Sequence, residues 1–293
     1  MQIVSSFYKY VEIENPEELS QEQIELCTSL GIVGRILIGN EGINGSVCGN
    51  ENSIQIYKKE LASIHFFKDI EFKDFETKKM AFKRLYVSVR KEIVHFGAKV
   101  DLKRTGTFIT PTELKEMLDN KEDVVLVDMR NDYESRIGRF KNARTLNMKK
   151  FRDLPNALKE IEDLKDKKVV TYCTGGIRCE KASAFLKENG FNEVSQIKGG
   201  ILNFAKEFPD TYWEGNCFVF DDRLTISLNK DAEPLNQCQW CEYKTEGYVN
   251  CHNLDCDKLF VCCDECKTSH NASCSTKCET SNKRRTKNIA VIN

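Results

Sequence analysis

Val169-Val170-Thr171-Tyr172-Cys173-Thr174-Gly175-Gly176-Ile177-Arg178-Cys179-Glu180-Lys181 is the stretch on which the reading of this chain turns. Its β-branched opening suits a central parallel strand, and Glu180 to Asn189 reads as a helix ending at Gly190. Such a strand delivers Cys173 to the C-terminal edge of a sheet, where open α/β folds place their ligand crevice. Two glycines let the backbone curl so that its N–H groups face the sulfur. A helix starting near Arg178 turns its positive end the same way, and Arg178 adds a fixed charge. Together these favour a thiolate and an anion site. A lone Cys after a strand otherwise reads as a small buried hydrophobe. The glycine loop and the arginine tip the reading toward reactive chemistry at Cys173. Cys179, one turn into the helix, reads as a resolving thiol, a catalytic partner or an inert residue.

Outward from this stretch the chain divides into parts. Val124–Val127 and Val194–Ile197 are further strands, and Thr110 caps a helix over Pro111–Leu118, so 111–215 is expected to be an α/β domain with a mostly parallel sheet. Residues 98–110, polar, basic and aperiodic, are expected to be a linker. Residues 1–97 read as β-α-β-β-α-β, an α+β unit of the ferredoxin-like (acylphosphatase-like) kind. Its first helix starts at Asn15-Pro16, with Asn15 as the capping side chain, and ends at Gly31. Its second spans Asn52–Ile64, and strands near Ile70–Phe75 and Leu85–Arg90 close the unit. Residues 216–293 form a cysteine-rich segment whose basic tail, Lys283-Arg284-Arg285-Thr286-Lys287, is expected to be mobile.

With 40% hydrophobic and 30% charged residues among 293, the chain can bury a core, which excludes disorder over most of its length. Its longest apolar run, Leu259 to Cys263, is too short to span a membrane. The first residues have no basic stretch followed by an apolar one, so the expectation is a cytoplasmic chain with reduced thiols. The net charge of −1 hides two basic stretches, Lys78–Arg104 and Arg136–Arg152. These suit a polyanion or are solvated faces.

Nine of the 14 cysteines fall between Cys238 and Cys278. Cys238/Cys241, Cys251/Cys256, Cys263/Cys266 and Cys274/Cys278 are four close pairs, the count for two tetrahedral zinc sites, with Cys262 left over. Metal-free cysteines are the alternative, and His252 is a further candidate ligand. His65 and His95 read as packed or surface residues, and Trp213, Phe218 and Phe220 as packed aromatics, with base stacking as the alternative. No flavin, haem or facial-triad motif stands out.

The loop Cys173-Thr174-Gly175-Gly176-Ile177-Arg178 resembles the active loop of rhodanese domains. So do Asp128-Met129-Arg130 with Glu134, Ile137-Gly138 and Ala143, and the closing turn Lys198-Gly199-Gly200-Ile201. Two flanking motifs are more specific: Gly34-Arg35-Ile36 with Glu41-Gly42-Ile43-Asn44-Gly45, and Trp213-Glu214-Gly215-Asn216-Cys217-Phe218-Val219-Phe220-Asp221. With these the chain is similar over nearly its whole length to the rhodanese-like tRNA wobble-uridine hydroxylases, which make 5-hydroxyuridine with molecular oxygen. The resemblance implies a catalytic Cys173, with Arg178 and Cys179 beside it. It implies substrate contacts from Thr174, Gly175, Gly176, Ile177, Arg130, Arg139, Lys141 and Arg144. It also implies oxygen as co-substrate and the anticodon region of tRNA, rather than DNA or membrane, as partner. Sulfur transfer through a Cys173 persulfide is the alternative chemistry.

Overall fold

The computed structural model describes residues 1–285. In the first unit, β1 (Gln2–Tyr10) alternates, so that Phe7 turns to one face and Ser6 and Tyr8 to the other. α1 (Pro16–Ser29) begins as expected, but the Asn15 side chain makes no capping bond. Its start rests instead on Pro16 and on Glu17 and Glu18 near the positive helix end. Gly31, at φ +65°, ends the helix in the left-handed region that glycine adopts without strain. β2 (Val33–Gly39) and β3 (Gly42–Asn50) form a hairpin closed by Asn40-Glu41 alone, and Asn50 caps α2 (Glu51–Ser63).

With β4 (Glu71–Thr77) and β5 (Leu85–Val89) the sheet runs β4-β1-β3-β2-β5. Phe7, Ile36, Ile38, Ile43 and Val47 pack with Leu19 and Cys27 of α1 and Ile54, Tyr57 and Leu61 of α2 in a single core. Both helices therefore lie on one face, which is the ferredoxin-like sandwich, extended by β5 parallel to β2. The opposite face carries Tyr8, Tyr10 and Lys73, and it is the one that meets the rest of the chain.

From β6 (Thr107–Ile109) the chain runs through α3 (Pro111–Asp119), β7 (Val124–Asp128), α4 (Asp132–Ile137), β8 (Gly138–Phe140), β9 (Arg144–Thr145) and α5 (Leu154–Ala157). It continues through β10 (Lys168–Tyr172), α6 (Ile177–Glu188), β11 (Glu193–Ile197) and α7 (Gly200–Glu207). The sheet order is β6-β11-β10-β7-β9, with every pairing parallel. β10 is central, and its Val169 and Val170 are fully buried, as its β-branched run implies. One expectation is corrected: the linker read over 98–110 contains β6, which pairs with β11 as the sheet's edge. Three residues are too few for periodicity to reveal a strand.

β12 (Trp213–Gly215) returns to pair with β8, followed by the hairpin β13 (Cys217–Phe218) and β14 (Thr225–Ile226). The cysteine-rich segment holds β15 (Tyr248–Asn250), β16 (Leu259–Val261), α8 (Asp264–Ser269) and α9 (Thr276–Glu279). The start of the basic tail is docked rather than free: the Arg285 N–H donates to the His252 carbonyl, and its guanidinium pairs with Asp257. Thr286 and Lys287 lie outside the described residues. Among the described residues no helix is long and apolar enough to cross a membrane.

Candidate active site

β10 ends at Tyr172, and Cys173 opens the loop at the C-terminal edge of the sheet. The Gly176 N–H donates to Cys173 Sγ at 3.1 Å. Gly176, at φ +103°, makes the turn into α6. The loop is held from behind by α7: the Ile201 and Leu202 N–H groups donate to the Cys173 and Thr174 carbonyls at 3.0 and 3.1 Å. Gly200 has to be glycine, because a Cβ there would lie 2.4 Å from the Cys173 carbonyl oxygen. Cys173 is 1% exposed. Burial alone pushes its thiol up, but the Cys179 thiol, the Arg178 charge and the Arg178 and Gly176 N–H groups together hold it far below the ordinary thiol range. Burial and the neighbouring thiolate push Cys179 the other way. The surroundings thus favour the thiolate at Cys173 and the thiol at Cys179.

Arg178 is committed elsewhere. Its guanidinium makes a bidentate pair with the buried Glu134 at 2.6 and 2.8 Å and donates to Thr174 Oγ1 at 3.3 Å. Its charge still favours the thiolate, but both terminal nitrogens are occupied. Over its outer side, 5.7 Å away, lies the ring of Phe220. Trp213 and Phe218 are packed as expected, whereas Phe220 is 56% exposed, which corrects the reading of it as a packed aromatic. Phe220 leans edge-on against Phe218 at 5.1 Å and leaves one face to solvent.

The first unit forms the other wall. A Cβ on Gly176 would come within 2.9 Å of the Tyr8 hydroxyl, so Tyr8 lies directly on the loop. Tyr10 donates to the Ile177 carbonyl at 3.2 Å. Lys181 of α6, with only 4% of its side chain exposed, is clamped by Glu41 at 2.9 Å and Glu92 at 2.8 Å. Glu180 stands beside Tyr8 and Lys73. Burial, aided by the Cys173 thiolate and opposed by Tyr8 and Lys73, pushes its carboxyl up to about 7. Sequence reading missed Tyr8, Tyr10, Lys73 and Lys181, because each acts across a boundary that no local pattern reports. Glu41 and Lys181 both belong to sequence motifs of this chain, but their pairing across the units was not legible.

The remaining expected substrate residues are spread out. Arg130 is fully buried, locked by Asp128 at 2.6 Å and by the Gly138 carbonyl at 2.6 Å. Its guanidinium also lies over Trp213, so it is a core residue rather than a substrate contact. Arg139 donates to the Ser135 carbonyl and lines a cavity of 390 Å³ with Arg136, Asp132 and Glu160. Lys141 is exposed, and Arg144 pairs with Asp163 on the edge strand β9, two strands from Cys173. A larger cavity of 520 Å³, lined by Glu41, Glu92, Lys99 and Lys181, opens along the seam between the units. Of the two basic stretches, the nine Lys and Arg of Lys78–Arg104 are all exposed, and among the described residues none pairs with an acid.

In the cysteine-rich segment the four pairs interleave. Cys238, Cys241, Cys263 and Cys266 form one group and Cys251, Cys256, Cys274 and Cys278 a second, each with its sulfurs within 4.8 Å of one another. Neighbouring sulfurs stand 3.6 to 3.8 Å apart. A tetrahedron with metal–sulfur bonds of about 2.3 Å has edges of about 3.8 Å, so both groups fit a metal ion. The Cys266 N–H and the Asn253 side-chain amide donate to Cys263 and Cys278 sulfurs, as ligand thiolates require. Cys262 and His252 belong to neither group.

Residues 2–93 match the UPF0176 acylphosphatase like domain, 110–207 the rhodanese-like domain and 214–279 the rhodanase C-terminal domain. A tRNA uridine(34) hydroxylase of Cytophaga hutchinsonii is 42% identical over 276 residues, covering 93% of this chain and 88% of that protein. One from Staphylococcus aureus is 40% identical over 280 residues, covering 93% and 87%. A crystal structure of a rhodanese-related protein from Thermoplasma volcanium is 25% identical, covering 35% of this chain and 93% of that one, with a TM-score of 0.30.

Proposed function

The chain belongs to the tRNA uridine(34) hydroxylase family, and from that premise we propose that it hydroxylates C5 of the wobble uridine of tRNA in the cytoplasm, with molecular oxygen as co-substrate and Cys173 as nucleophile. The observation that carries this reading is Cys173 at the sheet's C-terminal edge, bonded by the Gly176 N–H, in a chain 40–42% identical to that family over 93% of its length.

The Cys173 thiolate adds to C6 of the uracil. A C–S bond forms, and the C5=C6 electron pair moves onto C5 and O4. The electron-rich C5 takes up oxygen and a proton as a hydroperoxide. A dithiol reductant then donates two electrons and two protons, leaving a hydroxyl at C5 and releasing water. Loss of the C5 proton expels the thiolate and restores the double bond. Nucleoside mass spectrometry on undermodified tRNA incubated with protein and a dithiol tests this. One oxygen is expected on uridine in air and none under argon. Oxygen gained under argon, or sulfur-for-oxygen exchange on adding a sulfur donor, would overturn it.

The exposed, unpaired bases of Lys78–Arg104 suit the phosphates of the anticodon arm, and Phe220 offers its free face to a base. Stacking on an aromatic is worth about 1–3 kcal/mol, so Phe220→Ala is expected to raise the tRNA Kd about tenfold, with Phe220→Tyr restoring it. Filter binding at fixed salt measures this, and an unchanged Kd for the alanine variant would remove Phe220 from the substrate face. The two four-cysteine groups suit zinc, which would act there as a staple and take no part in the reaction.

A further inference from the structure

Lys73 stands near Cys173, and neither packing nor the roles assigned so far account for it. Its position on β4 is 6% exposed. Each of the other buried cations has a carboxylate: Arg130 has Asp128, Arg178 has Glu134, and Lys181 has Glu41 and Glu92. Lys73 has none within ion-pair distance among the described residues. Glu71, two residues away on the same face of β4, is taken by Lys198 at 2.8 Å. The ammonium lies 5.3 Å over the ring of Tyr8, whose hydroxyl rests on the Cys173 loop. Its charge is felt at Cys173 and Glu180. A mostly buried side chain whose ammonium has no carboxylate paired to it is costly to hold, and it is placed to meet negative charge on a ligand. Burial accordingly pushes Lys73 below its ordinary value.

We propose that Lys73 is a catalytic cation of the Cys173 site, supplied by the first unit, and that it receives the negative charge that develops on the uracil O4 when the thiolate adds. The inference rests on the function proposed above. No bond to Lys73 forms or breaks, and the ammonium keeps its three protons throughout. Arg178, the other cation beside the loop, already donates from both terminal nitrogens to Glu134 and Thr174. A cation held by a separate unit, with no partner to reorganise, is preorganised for charge that exists only during reaction.

The test uses the full chain with Lys73→Met and Lys73→Arg. It reads the single-turnover rate of 5-hydroxyuridine formation at saturating tRNA, the tRNA Kd, and the pH dependence of Cys173 alkylation by iodoacetamide. Lys73→Met is expected to lower the single-turnover rate about 100-fold with Kd changed less than about twofold, and Lys73→Arg to restore much of the rate. A rate within about threefold of the parent, or a raised Kd with the rate intact, would overturn the proposal, the latter making Lys73 a phosphate contact. Should the parent make no 5-hydroxyuridine at all, the functional reading fails by itself and the alkylation arm decides. A midpoint moved to higher pH in Lys73→Met sustains the cation's action on this site, and an unmoved one ends it.

Discussion

Cys173→Ser is expected to lower 5-hydroxyuridine formation by about three orders of magnitude or more, because a serine hydroxyl cannot replace the thiolate. The argument is one of ionisation. The loop N–H groups, the Cys179 thiol and Arg178 bring the Cys173 thiol down to about 5 against the opposing effect of burial. The same environment acting on a serine hydroxyl leaves it protonated at any pH at which the protein is folded. Since the thiolate is the reacting form, activity is expected to fall as pH drops through about 5 and to owe nothing further to Cys173 above it. The groups facing the sulfur are Arg178, Cys179 and Glu180 of α6, Tyr8 and Tyr10 of β1 and Lys73 of β4. Glu180 titrates near 7, so a second inflection there reports on its carboxyl rather than on the nucleophile. A serine variant with more than about a hundredth of the parent rate would remove Cys173 from the chemistry.

Removing metal is expected to unfold the cysteine-rich segment and leave the rest standing. Four thiolates around one zinc contribute about 10–16 kcal/mol in small zinc domains, far beyond what this segment's few apolar side chains supply. Two metal equivalents per chain are expected by elemental analysis, one for each four-cysteine group. After chelation, limited proteolysis is expected to cut within 230–285 while 1–215 stays protected. The loss reaches the active site as well. Tyr248 donates to the Tyr133 carbonyl at 2.7 Å, beside the Glu134 that holds Arg178, so activity is expected to fall with the segment. Metal-free protein with an uncut segment would show that the cysteines are not ligands.

The parts of the fold that were legible in sequence are those whose cause is local. β10, the glycine loop and α6 are written in consecutive residues, and the four cysteine pairs in their spacing. Their interleaving was not, since which pair joins which depends on the β15–β16 hairpin. Arg130 was misread because its partner, Asp128, stands only two residues away, and a buried pair and a substrate contact look alike in one dimension. The alternation of Trp213, Phe218 and Phe220 suggested packing throughout, but the chain turns after Phe218, where the Val219 N–H bonds to Leu224, and the third ring is left outside. Lys73, set among Glu71, Phe72, Asp74 and Phe75, gave no local sign of its burial. Only the apposition of a second unit buries it.

That apposition of Tyr8 and its sheet against the Cys173 loop also bears on survival under oxidative stress. A sulfur ionised at neutral pH is the form that peroxides attack first, and over-oxidation to sulfinic or sulfonic acid is permanent damage. Cys173 is only 1% exposed and Tyr8 of the first unit lies against its loop, so adventitious oxidants in bulk solvent meet little of the sulfur. Fusion of the two units thus joins the wall of the active site to the protection of its nucleophile.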